Sequence, residues 1–222
     1  MTHLNYRKEL EKARNVVKEL PRDGRQATLE AYWEVCCGDV LLAEENLRKQ
    51  VNVWENTSLV KEFLDIASYL EGYDHMLDPL YAAVSRIKDV LPDHPRLQLE
   101  TLKFMQHILH RIESQCDAEL CQSEDMQKEI SIYRHNITCA DNNAFADIEQ
   151  IGDLKQDPIE WSADYENIID EANRKIYSLL EGHPRVMGFC FTYWHAKKQI
   201  LREEYGIEWK SPEMMNPNVI FD

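Results

Sequence analysis

Long apolar runs, glycine and positive charge are all scarce in this chain, and each scarcity removes a class of function. No stretch approaches the roughly 20 consecutive apolar residues that cross a bilayer. The first residues, "MTHLNYRKELEKARN", are charged throughout and carry no apolar core of the signal-peptide kind. Both features predict a protein kept in the cytoplasm and off the membrane. Seven glycines in 222 residues leave little material for phosphate-cradling loops. The P-loop, Gly-x-Gly-x-x-Gly and Gly-x-Ser-x-Gly patterns are absent. Against 40 Asp and Glu there are only 25 Lys and Arg, a net charge of −15. Nucleic-acid binding depends on cations that neutralise phosphates, so nucleic acid is excluded as a main partner. Anionic membrane surfaces are disfavoured for the same reason. Solubility is the simplest account of the acidity.

Cysteine pairing is missing as well. Cys36, Cys37, Cys116, Cys121, Cys139 and Cys190 form no Cys-x-x-Cys motif. A chain of this length with 44% hydrophobic residues buries enough surface to fold without staples, so reduced and mostly buried thiols are expected. Cys36 and Cys37 are neighbours and point about 100° apart on a helix, which argues against a redox pair.

What is present is helical periodicity. Tyr6, Leu10, Ala13, Val17 and Leu20 form one apolar stripe, ended by "PRDG". Leu29, Trp33, Cys36, Val40, Ala43 and Leu47 form a second, as one helix or as two broken at Gly38-Asp39. Leu59, Phe63, Ile66, Ala67 and Leu70 form a third, closed by Gly72. Asp78-Pro79 reads as N-cap and first residue of a helix running to about Leu91. After "PDHP" a long helix carries Leu102, Met105, Leu109, Ile112 and Cys116, bends or continues near Ser123, and ends around 137. Residues 138–162 lose the period and read as an irregular acidic connection, followed by helices over about 163–181 and 186–205. No strand series appears. The expectation is a single all-α domain over 1–222, with seven to eight helices in antiparallel hairpins as a bundle or short array, and an extended C-terminal tail. Its possible sub-division is an N-terminal helical part (1–137), the acidic connection (138–162), and a helical hairpin with its tail (163–222).

One internal echo is visible. Ala83, Ile87, Val90 and Pro95 match the spacing of Ala172, Ile176, Leu179 and Pro184, and both prolines lie in His-Pro-Arg, at 94–96 and 183–185. The spacing resembles the second helix of a tetratricopeptide hairpin, and "GDVLLAEENL" at 38–47 resembles that family's Gly-Asp turn followed by Ala and a large residue. The resemblance implies packed helical hairpins. The copies lie 89 residues apart, not a multiple of the usual 34. Glu44-Glu45 and Glu166-x3-Asp170 resemble parts of the magnesium site of helical nucleotide pyrophosphohydrolases, but Arg48 stands where a third Glu belongs.

Several clusters merit a chemical reading. Asp74, His75 and Asp78, with Glu71 nearby, offer donors for a divalent metal or an acid and base, although Asp78 already serves as a cap. His107 and His110 share a helix face as zinc ligands at that spacing would, but Lys103, Ser114 and Asp117 mark that face as solvated. No Glu-x-x-His exists to strengthen either. A calcium loop starting at Asp147 places Gly152 correctly but fails at Ile151 and Pro158. From Asp141 to Glu171 ten acids face Lys155 and no Arg, which reads as a mobile loop or a surface for a basic partner.

The richest stretch is "GHPRVMGFCFTYWHAKKQIL", residues 182–201. Gly182 reads as a helix terminator and Pro184 as the next helix's first residue. Phe189, Tyr193, Ala196 and Ile200, widened by Cys190 and Trp194, predict a helix whose first turns are buried nearly all round. Lys197, Lys198 and Arg202 are expected to emerge together, and with His195 they make an anion-binding candidate, as does Arg185. Trp209, Met214, Met215, Ile220 and Phe221 make the C-terminal segment too apolar to lie free in water; it packs across the helices or anchors a partner. The preferred expectation is a protein-binding module, with a protein partner or a second copy and no cofactor. The alternative is a metal-dependent helical enzyme of hydrolase type.

Overall fold

A computed structural model describes residues 5–116 and 122–221. Cys121 and Asp117 lie outside the described residues. The fold is all-α: among the described residues there are nine α-helices, five short 3-10 turns and no strand. The helices are α1 (Tyr6–Val17), α2 (Gln26–Lys49), α3 (Asn56–Leu70), α4 (Leu77–Ile87), α5 (Pro95–Cys116), α6 (Gln122–Asp141), α7 (Ala163–Leu179), α8 (Phe189–Tyr205) and α9 (Pro212–Met215). None is long and apolar enough to cross a membrane.

The chain divides into two compact units. The first comprises Met1–Pro92 and Leu97–Ile130, the second Asp93–Arg96 and Ser131–Asp222.

In the first unit the stripes reach the core in part: Tyr6, Ala13, Val17, Leu20, Trp33 and Leu47 are half-buried. Leu10 of α1, Val35, Cys36, Val40 and Ala43 of α2, and Leu59, Phe63, Ile66, Ala67 and Leu70 of α3 are all buried. Asn5 caps α1 by accepting the Lys8 amide at 3.1 Å. α2 runs unbroken through Gly38-Asp39. Gly38 serves the crossing with α1: a Cβ there would lie 2.9 Å from Leu10 Cδ1 and 3.2 Å from Leu10 Cβ. The expected cap at Asp78 is not found either. α4 starts at Leu77 with Met76 as its N-cap, which puts Asp78 and Pro79 within its first turn. Among the described residues the cysteines form no disulfide, and only Cys36 is buried; Cys116 is exposed and the others are intermediate.

The second unit is built on the α7–α8 hairpin. Tyr165, Ile169, Ala172, Ile176 and Leu180 interlock with Ala196, Ile200, Leu201 and Trp209. Ser162 caps α7 through the Tyr165 amide, and Gly206, at φ +68°, terminates α8. The irregular stretch is shorter than its sequence predicts, because α6 continues to Asp141. The segment after α8 is part packed and part exposed: Trp209 and Asn216 are buried, while Ile220 is 93% exposed.

Candidate functional site

The second unit is organised around a cation that the sequence places on the surface. Lys197, only 5% exposed, occupies the same α8 face as Tyr193, Ala196, Ile200 and Leu201. Its Nζ lies 3.1 Å from Asp93 Oδ1 and over the rings of Trp209 (4.8 Å), Tyr165 (5.4 Å) and Tyr193 (5.9 Å). The Tyr165 hydroxyl donates to Asp93 Oδ1 at 2.8 Å, and the Tyr193 hydroxyl donates to Asn173 Oδ1 at 2.7 Å. Burial alone would raise the Asp93 carboxyl, but Lys197, Tyr165 and His94 outweigh it and hold it below the usual range. Burial drives Glu160 up to about 7 despite Lys197 and the Trp209 indole N–H, which donates to it at 2.5 Å. Lys197 therefore does not emerge beside Lys198 and Arg202. A single helical turn decides this: Lys197 is four residues from both Tyr193 and Leu201, and that spacing was the signal available in the sequence.

The acidic segment is also largely spent inside its own unit. Asp141 and Glu166 both accept from Arg96, Glu166 at 3.0 Å, and the same Glu166 carboxylate takes the Arg96 backbone amide at the start of α5. Asp170 pairs with the buried His94 at 3.0 Å. Asp157 receives the backbone amides of Lys210 and Ile159, and Glu171 pairs with Lys175. A mobile acidic loop does not describe these residues.

The two His-Pro-Arg copies diverge. Pro95 opens α5 as expected. Pro184 does not open α8, which starts at Phe189 behind Gly188 at φ +83°. Residues 180–188 instead form a connected turn. The His183 amide donates to Leu180 O at 3.1 Å and the Phe189 amide to Val186 O at 3.0 Å. Gly182 is left-handed, but three residues beyond the end of α7. The first turn of α8 is not buried all round: Phe191 is exposed, and Cys190 and Trp194 are only half-buried. Beside it stand Val186 at 66% and Met187 at 84% exposure, with Leu179 also exposed at the end of α7. Arg185 lies over the rings of Tyr177 (5.2 Å) and Phe189 (5.6 Å). Tyr177 is pushed up to about 12 by burial, against the opposing pull of Arg185. The connection thus presents two exposed apolar side chains, Val186 and Met187, and one stacked guanidinium, and each helix end adjoining it adds one more exposed apolar side chain, Leu179 and Phe191.

The remaining candidates fall elsewhere. Lys198 Nζ contacts Met214 Sδ at 3.5 Å, Arg202 pairs with Glu208 at 3.1 Å, and His195 is exposed on the same α8 face. Trp209 lies among the core side chains, which gives a partner no face to grip. In the first unit His107 Nε2 lies 3.0 Å from Glu71 Oε2, and Arg111 pairs with Asp74 at 2.9 Å. His75 leans on the Tyr73 ring, while Asp78 and His110 are exposed. Among the described residues no three His, Cys, Asp or Glu side chains gather as a metal site. No family model, no curated protein and no solved structure matches this chain.

Proposed function

We propose that the chain is a protein-binding module whose contact surface is the α7–α8 turn of the second unit. One observation carries it: Val186 and Met187 of the connection stand exposed, as do Leu179 at the end of α7 and Phe191 in the first turn of α8, although the core of the same hairpin is closely packed. Burying each such side chain is worth roughly 1.5–3 kcal/mol, and that free energy is left unclaimed in the isolated chain. Methionine, aromatic and arginine side chains are the types enriched where protein partners meet. Arg185, already stacked on two rings, loses little further freedom when a partner covers it. Against the metal-dependent alternative stand the Arg111–Asp74 pair and the approach of His107 to Glu71.

The test is a double variant, Val186→Asp with Met187→Asp. Affinity for an identified partner falls at least tenfold while the far-ultraviolet dichroism is unchanged. Sedimentation velocity shows whether that partner is a second copy. Unchanged affinity in the variant overturns the assignment.

A further inference from the structure

A second feature of this unit lies away from the exposed turn, in the irregular segment between α6 and α7. Two buried asparagines treat its backbone in the same way. Asn136 of α6 donates from Nδ2 to Glu149 O at 2.8 Å and accepts the Glu149 amide on Oδ1 at 2.8 Å. Asn216, at the end of α9, donates to Lys155 O at 2.9 Å and accepts the Lys155 amide at 2.9 Å. Each side-chain amide thus satisfies both backbone groups of one loop residue, as a paired strand would. The loop from 149 to 155 is held at both ends by partners outside itself.

Between those clamps lies a cavity of about 280 Å³. Its apolar lining is Ile148, Ile151, Pro158, Trp161 and Met215, and the exposed Glu149, Gln150, Lys155 and Gln156 complete it. Trp161 is itself fixed, edge-on to Tyr133 with ring centroids 5.0 Å apart. The cavity is open to solvent on its Glu149 and Lys155 side. An irregular loop free to move would collapse onto such a space, and the two amide clamps oppose that. Ligand pockets share these properties: preformed, mostly apolar, with a few polar groups at fixed positions.

We propose that this cavity is a binding site for a small planar aromatic molecule without net charge. The aliphatic and indole walls favour an apolar ring. The lining offers one carboxylate and one ammonium, so their charges cancel, and neither sign of ligand is selected. The volume, about 280 Å³, falls just short of pockets that take drug-sized ligands, roughly 300–1,000 Å³, which limits the occupant to one or two fused rings.

Indole is the probe. It is titrated into the full chain carrying ¹³C-labelled isoleucine and methionine methyls, followed by NMR. The expected result is saturable shifts concentrated on Ile148, Ile151 and Met215, with a dissociation constant of roughly millimolar order. Ile151→Trp fills the cavity and weakens binding at least tenfold. Should that variant fail to fold, Met215→Trp fills it from α9 with the same expected loss. Shifts that do not saturate, that spread evenly over the methyls of both units, or that persist in a folded filled variant overturn the proposal.

Discussion

Lys197 Nζ lies 3.1 Å from Asp93 Oδ1, a buried ammonium on a half-buried carboxylate of the same unit, although 104 residues separate them. The pair joins α8 to the turn that precedes α5. A buried charge left without its partner costs about 3–5 kcal/mol. Lys197→Ala should therefore lower unfolding stability by that amount in urea. The double variant Lys197→Met with Asp93→Asn should recover most of it, because the uncompensated charge is then gone. A double variant as unstable as the single would show that Lys197 acts through packing alone.

His94 and Glu160 give the second unit a pH dependence of one sign. His94 is lowered by burial but raised more by Asp170 and its acidic neighbours, so it ends above the usual 6.5. Its stabilisation is complete below 6.5 and is lost as pH rises through the folded value. Glu160, raised by burial from 4.5 to about 7, favours the fold below 4.5, and that advantage is lost as pH climbs to 7. Asp93 acts oppositely, losing its contribution as pH falls below the usual 3.8. Urea midpoints should decline between pH 6 and 8, and His94→Gln should flatten the decline. An increase across that window contradicts the assignment.

Asp39 makes a matching prediction in the first unit. It is fully buried on α2, where Asp39 and Glu62 converge on Arg14, at 3.4 Å and 2.9 Å. Burial and Glu62 drive its carboxyl from 3.8 to about 9 against the pull of Arg14. Its native form at neutral pH is thus protonated while the unfolded chain is ionised. This costs stability increasingly as pH rises from 3.8 towards 9. Asp39→Asn removes the titration and leaves Glu62 to pair with Arg14. It should gain on the order of 1 kcal/mol at pH 7 and nothing near pH 3.5. A loss at pH 7 would mean that the ionised Asp39 is the native form.

Gly38 tests the α1–α2 crossing. Alanine gains about 1 kcal/mol of helix propensity over glycine, but its Cβ would press on Leu10. Overpacking of this kind costs roughly 1–3 kcal/mol, so Gly38→Ala should lower the thermal midpoint. An increase would show that Leu10 has room to yield.

The same glycine shows where sequence reading succeeds and where it stops. A stripe with long regular spacing, Leu59 to Leu70, places α3 because burial follows the helical period. A break at Gly38-Asp39 stayed open because propensity is local, whereas the close approach of Leu10 is tertiary. Lys197 escaped for a related reason: a lysine on an apolar face reads as surface until Asp93 and three aromatic rings are brought around it. The acids of 141–171 looked unpaired because Arg96, His94 and the Lys210 amide lie far along the chain. The α7–α8 turn was misread because Pro184 matched Pro95 in sequence, while Gly188 sets where α8 begins.

Binding through that turn can be read in cells by placing a photo-reactive benzoylphenylalanine at Met187, and at the exposed Val16 of α1 as a control. The account predicts a discrete cross-linked adduct from position 187, absent from position 16 and lost when Phe191→Asp is added. The adduct's partner should bind the purified wild-type chain and bind the Val186→Asp, Met187→Asp variant at least tenfold more weakly. Equal adducts from both positions, or a partner that binds wild type and variant alike, would contradict a binding surface at the α7–α8 turn.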